Sequence, residues 1–166
     1  MTAWRDGTIK ASYDKRTRVT ANGHHVVRLE FTSAFEMLDF VQVVSDHLAR
    51  GVGLDEDSLH WVSVAIRECV INAIKHGNRE HPGKLVTVEF TFAPLTDPRE
   101  LVVRVVDEGE GFDPQEVADP LAPENMLKAS GRGIFFMRSF MDDVVLRRAA
   151  DGGMEVRMVK KLVNGA

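Results

Sequence analysis

The 166-residue chain has one cysteine, Cys69, and one tyrosine, Tyr13. A single cysteine excludes an intrachain disulfide framework. Cys69 falls inside an apolar helical pattern, which marks it as a buried thiol rather than a nucleophile. No apolar run approaches the ~20 residues that a membrane-spanning helix requires. The first residues, Met1-Thr-Ala-Trp-Arg-Asp6, lack the apolar core of a signal peptide. With a formal net charge of −4 there is no global attraction to nucleic acid or to an anionic membrane. The 6 histidines are scattered without metal-helix spacing, so no transition-metal site is expected. There are no repeats, no low-complexity tracts and no clear linker. These absences leave a protein expected in the cytoplasm. Its 44% hydrophobic and 28% charged residues suit a folded chain with a proper core.

Charge is unevenly placed. Residues 107–124 carry seven acids and no base, and bases outnumber acids from Lys128 onward. This pattern fits either solvated faces or a partner surface.

Residues 1–25 are polar and weakly patterned, an N-terminal arm or edge strand, and residues 26–166 read as one domain. Val26–Phe31 alternates as a strand. Ser33 and Glu36 stand at capping-box spacing before a helix over 34–50, whose apolar side carries Phe35, Leu38, Val41 and Leu48. Gly51 and Gly53 close it. Asp55 caps a long helix over 56–76, in which Leu59, Val62, Ile66, Cys69 and Ala73 form one buried stripe. Leu85–Phe92 and Leu101–Val106 read as an antiparallel pair. Residues 108–130 hold three prolines and no period, which suggests a lid. A helix over 133–141 comes next, then a hairpin of 144–148 and 154–162 around Asp151-Gly-Gly153. The expected fold class is α+β, a two-layer sandwich of a mostly antiparallel sheet with helices on one face.

Three segments carry candidate chemistry. Asp107-Glu-Gly109-Glu-Gly111 ends an apolar strand, so a carboxylate and two glycines enter a sharp bend. That carboxylate can accept hydrogen bonds from an amine such as the adenine amino group. Glu68 and Asn72 lie four apart on one side of the long helix, and His76 extends their stripe. They form either an exposed polar stripe or a functional pair. In the second case the Asn72 amide oxygen ligates Mg2+, which prefers oxygen and shares substrate phosphates. Glu68 then orients or deprotonates an attacking hydroxyl or water. Ser130-Gly131-Arg132-Gly133 precedes an apolar helical run and is either a plain helix start or a phosphate-holding turn. It matches neither a P-loop nor a dinucleotide fingerprint.

Taken in order, these segments resemble a known superfamily. Glu68-x3-Asn72-x3-His76-Gly77-Asn78 is similar to the N box of the gyrase, Hsp90, histidine kinase and mismatch-repair ATPases. Asp107-x-Gly109-x-Gly111 resembles its first glycine box, and Gly131-x-Gly133 its second. Within that group, Val106–Pro114 and Gly131–Val144 are most similar to bacterial anti-sigma factors with serine-protein kinase activity. The likeness runs over about residues 26–162.

The resemblance implies a Bergerat-type fold binding ATP and Mg2+. It implies adenine recognition at Asp107, metal at Asn72 and the catalytic base at Glu68. It further implies a pocket and lid hinge shaped by Gly109 and Gly111, and backbone approach to phosphates at Gly131 and Gly133. Some kinase members carry an arginine just before the second glycine box. Here the run is Leu127-Lys128-Ala129-Ser130, with Lys128 and Arg132 as the nearby cations.

The implied activity is phosphorylation of a serine on an anti-anti-sigma protein, in a partner switch that frees a sigma factor. A homodimer is implied, and no direct contact with nucleic acid or membrane. The alternative output is ATP-organised sequestration of a protein with little or no phosphotransfer.

Overall fold

The computed structural model describes residues 25–93, 98–111 and 129–162. The segment 1–24 and most of the expected lid, 112–128, lie outside the described residues. The elements run in the order β1 (His25–Thr32), α1 (Met37–Gly51), α2 (Glu56–Asn72), a π-helical turn (Ala73–Gly77), β2 (Leu85–Ala93), β3 (Glu100–Asp107), α3 (Ala129–Phe140), β4 (Asp143–Ala149) and β5 (Gly152–Lys161). The five strands form one sheet in the order β1-β2-β3-β5-β4, with every neighbouring pair antiparallel. The expected α+β fold is present.

Alternation along the strands builds the two faces of the sheet. Phe31 pairs with Val86 and Val86 with Asp107, while Leu29, Val88, Val105 and Val156 form the next row. Val27, Phe90, Val103 and Met158 form a third. Val86, Val88, Phe90, Val103 and Met158 are fully buried against the helical layer. Asp107 is therefore a carboxylate on the core face, at the end of an otherwise apolar row.

The opposite face carries charge. Arg28 pairs with Glu89, Glu89 with Arg104, and Arg104 with Glu155, which also binds Arg147. This ladder of alternating sign crosses all five strands. Glu155 is only 3% exposed and accepts from Arg104 Nε and Arg147 Nε, both at 2.7 Å. Its burial is tolerated because both carboxylate oxygens are paired.

The helices dock by their apolar stripes. Leu59, Val62, Ile66, Cys69 and Ala73 are all buried, as the spacing predicts. Asp55 caps α2 by accepting from Ser58 N–H at 2.9 Å. Leu38 and Val41 of α1 are buried, but Phe35 is 40% exposed. The expected capping box at Ser33 and Glu36 is absent. The helix starts at Met37, its cap residue Glu36 makes no side-chain cap bond, and Ser33 Oγ instead donates to Lys84 O at 2.9 Å. A non-local acceptor thus outcompetes the local one.

α3 runs antiparallel to α2. Trp61 of α2 stacks on Phe140 of α3 with ring centroids 4.1 Å apart, while Gly133 lies beside Asn72 and Glu68. This pairing fixes where the first turns of α3 sit.

Truncating the centre of the sheet should be costly. Phe90→Ala is expected to lower unfolding free energy by about 3–5 kcal/mol, whereas Val145→Ala on the outer face should change it by about 0.5 kcal/mol or less. Urea denaturation of both variants checks this. Equal effects would contradict the assignment of the two faces.

Candidate functional site

The site begins where β3 leaves the core. Asp107 is 7% exposed, and its Oδ1 accepts from Gly109 N–H at 2.8 Å and Met154 N–H at 3.1 Å. Burial pushes its carboxyl pKa above the usual carboxylate value, against the two amides and the nearby Lys84 charge, which act in the other direction. The negative charge of Asp107 adds to burial in pushing the Cys69 thiol pKa up. Cys69 is thus an inert neighbour of the site rather than a nucleophile.

Glycine walls this carboxylate in. A Cβ on Gly77 would overlap the Asp107 carboxyl group, one on Gly109 would overlap Gly77 O, and one on Gly153 would overlap Asp107 O. Backbone approaches this close exclude any side chain. Gly111 has φ +67° and lies against the Gly152 and Gly153 carbonyls. The sequence pointed to Gly109 and Gly111. The parts played by Gly77, Gly153 and the Met154 amide were missed, because the latter two arrive from the last strand, far along the chain. The Gly152-Gly153 pair was legible only as a hairpin turn.

The polar pair on α2 lies against the first part of α3. A Cβ built on Gly133 would stand 2.7 Å from Asn72 Nδ2 and 3.5 Å from Glu68 Oε2. Gly133 therefore lies directly against the Asn72 side chain with Glu68 next to it, and both are half-buried. His76 is exposed in the π-helical turn, where Asn78 N–H bonds to Ala73 O at 2.8 Å in the wider i→i+5 pattern.

α3 starts at Ala129 rather than at Gly133, so the backbones of Ser130, Gly131 and Arg132 form its first turn. The glycine segment is the helix terminus itself, not a turn before it. The first N–H groups of a helix have no intrahelical partner and favour anions. Lys128 lies outside the described residues, as do the side chains of Ser130 and Arg132. Among the described residues no cluster of three or more His, Cys, Asp or Glu could hold a metal by itself. An amide oxygen at Asn72 suits a hard cation that takes most of its ligands from water and phosphate.

Two measurements check this geometry. Gly153→Ala should destabilise the protein by about 1–3 kcal/mol, since the new Cβ would overlap the Asp107 backbone carbonyl, which cannot swing aside as a side chain could. The raised Asp107 pKa has a definite sign. The folded protein keeps this proton above 3.8, where the unfolded chain loses it, so stability falls as pH rises from that value through the raised one. Asp107→Asn should flatten that part of the stability profile relative to wild type. An unchanged profile would mean that desolvation does not dominate at this carboxylate.

Comparison with known proteins adds to the geometry. The model of the histidine kinase-like ATPase domain matches residues 33–160. An anti-sigma F factor of Clostridium acetobutylicum is 32% identical over 137 residues, covering 81% of this chain and 92% of that protein. An anti-sigma F factor of Heyndrickxia coagulans is 30% identical over 138 residues, covering 82% and 92%. The serine-protein kinase RsbW of Listeria monocytogenes is 26% identical over 146 residues, covering 84% and 89%. With its sheet, its helical layer and the ordered boxes at 68–78, 107–111 and 131–133, the chain belongs to the histidine kinase-like ATPase family.

Proposed function

We propose that the protein is an ATP-dependent serine-protein kinase and anti-sigma factor. It binds ATP between α2, the end of β3 and the first turn of α3. Its phosphoryl acceptor is a serine of an anti-anti-sigma protein, and its other partner is a sigma factor. The observation that carries this reading is the seating of Gly133 on Asn72 and Glu68. It supports the reading because the start of α3 lies beside an amide and a carboxylate of α2, while Gly77, a few residues further on, touches the buried Asp107 carboxyl.

In this reading Asp107 accepts from the adenine amino group through the oxygen not engaged by Gly109 and Met154. Gly109 and Gly111 let the chain turn away beside the base. The backbone at Gly131 and Gly133 approaches the phosphates, with Ser130, Arg132, Lys128 and His76 around them. Asn72 would hold Mg2+, which neutralises phosphate charge when bound. Glu68 takes the proton of the serine hydroxyl. The serine oxygen then bonds to the terminal phosphorus as the bond to ADP breaks, and the negative charge leaves on ADP.

The reading extends to a homodimer working in the cytoplasm. No helix among the described residues is long and apolar enough to cross a membrane. The anti-sigma F factors and the RsbW kinases among the relatives support the partner assignment. A second reading, sequestration without phosphotransfer, draws on Lys128 standing near the position where some kinases carry arginine. Lysine lacks the planar fork that grips a terminal phosphate.

Asp107→Asn should weaken ATP by about tenfold to a hundredfold, the loss of a hydrogen bond to a charged acceptor. Isothermal titration with ATP and GTP measures this, and equal binding by the variant would contradict the adenine role. Glu68→Gln should bind ATP normally but lower phosphotransfer by about 10²–10⁴-fold. Labelled ATP, Mg2+ and anti-anti-sigma proteins encoded near this chain supply the assay. ATP binding without label transfer to any such protein would favour the sequestration reading.

A further inference from the structure

Asn78 comes directly after the π-helical turn, is 1% exposed, and has no role in the scheme above. Its carboxamide reaches three separate segments. Nδ2 donates to Ser33 Oγ at 2.7 Å, between β1 and α1, and to Leu85 O at 2.8 Å, at the start of β2. Oδ1 accepts from Glu108 N–H at 2.8 Å, between Asp107 and Gly109. The partners fix which end of the amide is which. Leu85 O can only accept and Glu108 N–H can only donate. Ser33 Oγ already donates to Lys84 O, so it receives the Nδ2 hydrogen.

The site demands this side chain. Two donors and one acceptor are needed within one short, neutral group. Aspartate offers no donor and would bury a charge, and alanine would remove all three bonds, leaving the Glu108 N–H without its acceptor. A second observation points the same way. Arg79 and Glu80, the next two residues, have φ 54° and 57°, left-handed values that non-glycine residues rarely adopt. Such strain persists where surrounding structure over-determines it, and it gathers at functional sites. Glu80 N–H is bonded to Ile74 O at 2.8 Å, and Arg79 pairs with Glu110 at 2.9 Å. The chain reverses sharply after Asn78 and leaves its side chain directed into the molecule.

We infer that Asn78 is a positioning residue of the nucleotide site. Its carboxamide oxygen holds the Glu108 amide and so sets the turn that aims the Asp107 carboxylate. Its NH2 group anchors that turn to the ends of β1 and β2. The inference rests on the ATP reading given above.

Three proteins test it by ATP titration: wild type, Asn78→Ala and Ser33→Ala. Asn78→Ala is expected to weaken ATP by about tenfold, the loss of a turn-fixing hydrogen bond. Ser33→Ala removes only the distal anchor, and should lower Tm while leaving Kd within about twofold. A merely structural role for Asn78 predicts that affinity tracks stability in both variants, and that outcome overturns the inference. So does a folded Asn78→Ala protein that binds like wild type. Hydrogen exchange on the nucleotide-free wild type covers the case in which Asn78→Ala fails to fold. The Glu108 amide should be protected far beyond a free loop, and free-loop exchange there overturns the inference. Wild-type protein that binds no ATP overturns the nucleotide reading itself. Wild type that binds, with Asn78→Ala matching it, overturns the role of Asn78 alone.

Discussion

A carboxylate on the core face of a sheet constrains everything around it. Asp107 continues the row begun by Phe31 and Val86, so it leaves the strand pointing at the helical layer rather than at water. A group in that place must be satisfied by fixed donors or lose its charge. Two backbone amides meet the need, and they lie close enough only because the neighbouring chain is glycine. Gly77, Gly109 and Gly153 are therefore one solution to one packing problem, although 76 positions separate the first from the last. Burial still raises the carboxyl pKa against those two amides and the nearby Lys84 charge.

The other half of the site depends on how two helices meet. Trp61 and Phe140 clamp one end of the α2 and α3 contact, and the absence of a side chain at Gly133 lets the other end close on Asn72 and Glu68. Gly133, just past the first turn of α3, is thereby held against the polar pair. A helix start, an amide and a carboxylate are neighbours as a result. The two halves of the candidate site are thus placed by different forces: cross-strand register for Asp107, helix packing for Glu68 and Asn72.

Periodic signals in the sequence carried most of the fold. Alternation in Leu85–Phe92 and Leu101–Val106 marked the central strands, and the stripe from Leu59 to Ala73 marked the buried side of α2. The hidden features depend on partners distant in sequence. Ser33 has the spacing of a helix cap, yet Lys84 O and the Asn78 amide claim its hydroxyl, and no local pattern reports that competition. Glu68, Asn72, Asp107 and Gly133 were singled out from their spacing and their superfamily resemblance. Gly153 and the Met154 amide were invisible, because a backbone donor leaves no mark in residue type. The start of α3 was misplaced by four residues since glycines read as turn signals, although a helix N-terminus accommodates them too.

The π-helical turn Ala73–Gly77 holds one more residue than an α-helical turn would need to span the same hydrogen bond. That extra residue sets the phase between α2 and the rest of the chain. Each residue added to or removed from a helix rotates the downstream backbone by about 100°, a full turn being 3.6 residues. A deletion in this stretch would leave Glu68 and Asn72 in place but swing Gly77 away from the Asp107 carboxyl and Asn78 out of the interior. The segment is thus constrained in length as well as at Gly77, where a side chain would overlap the Asp107 carboxyl. In descent from a common ancestor, a gap between Asn72 and Asn78 would be lost wherever the pocket is kept.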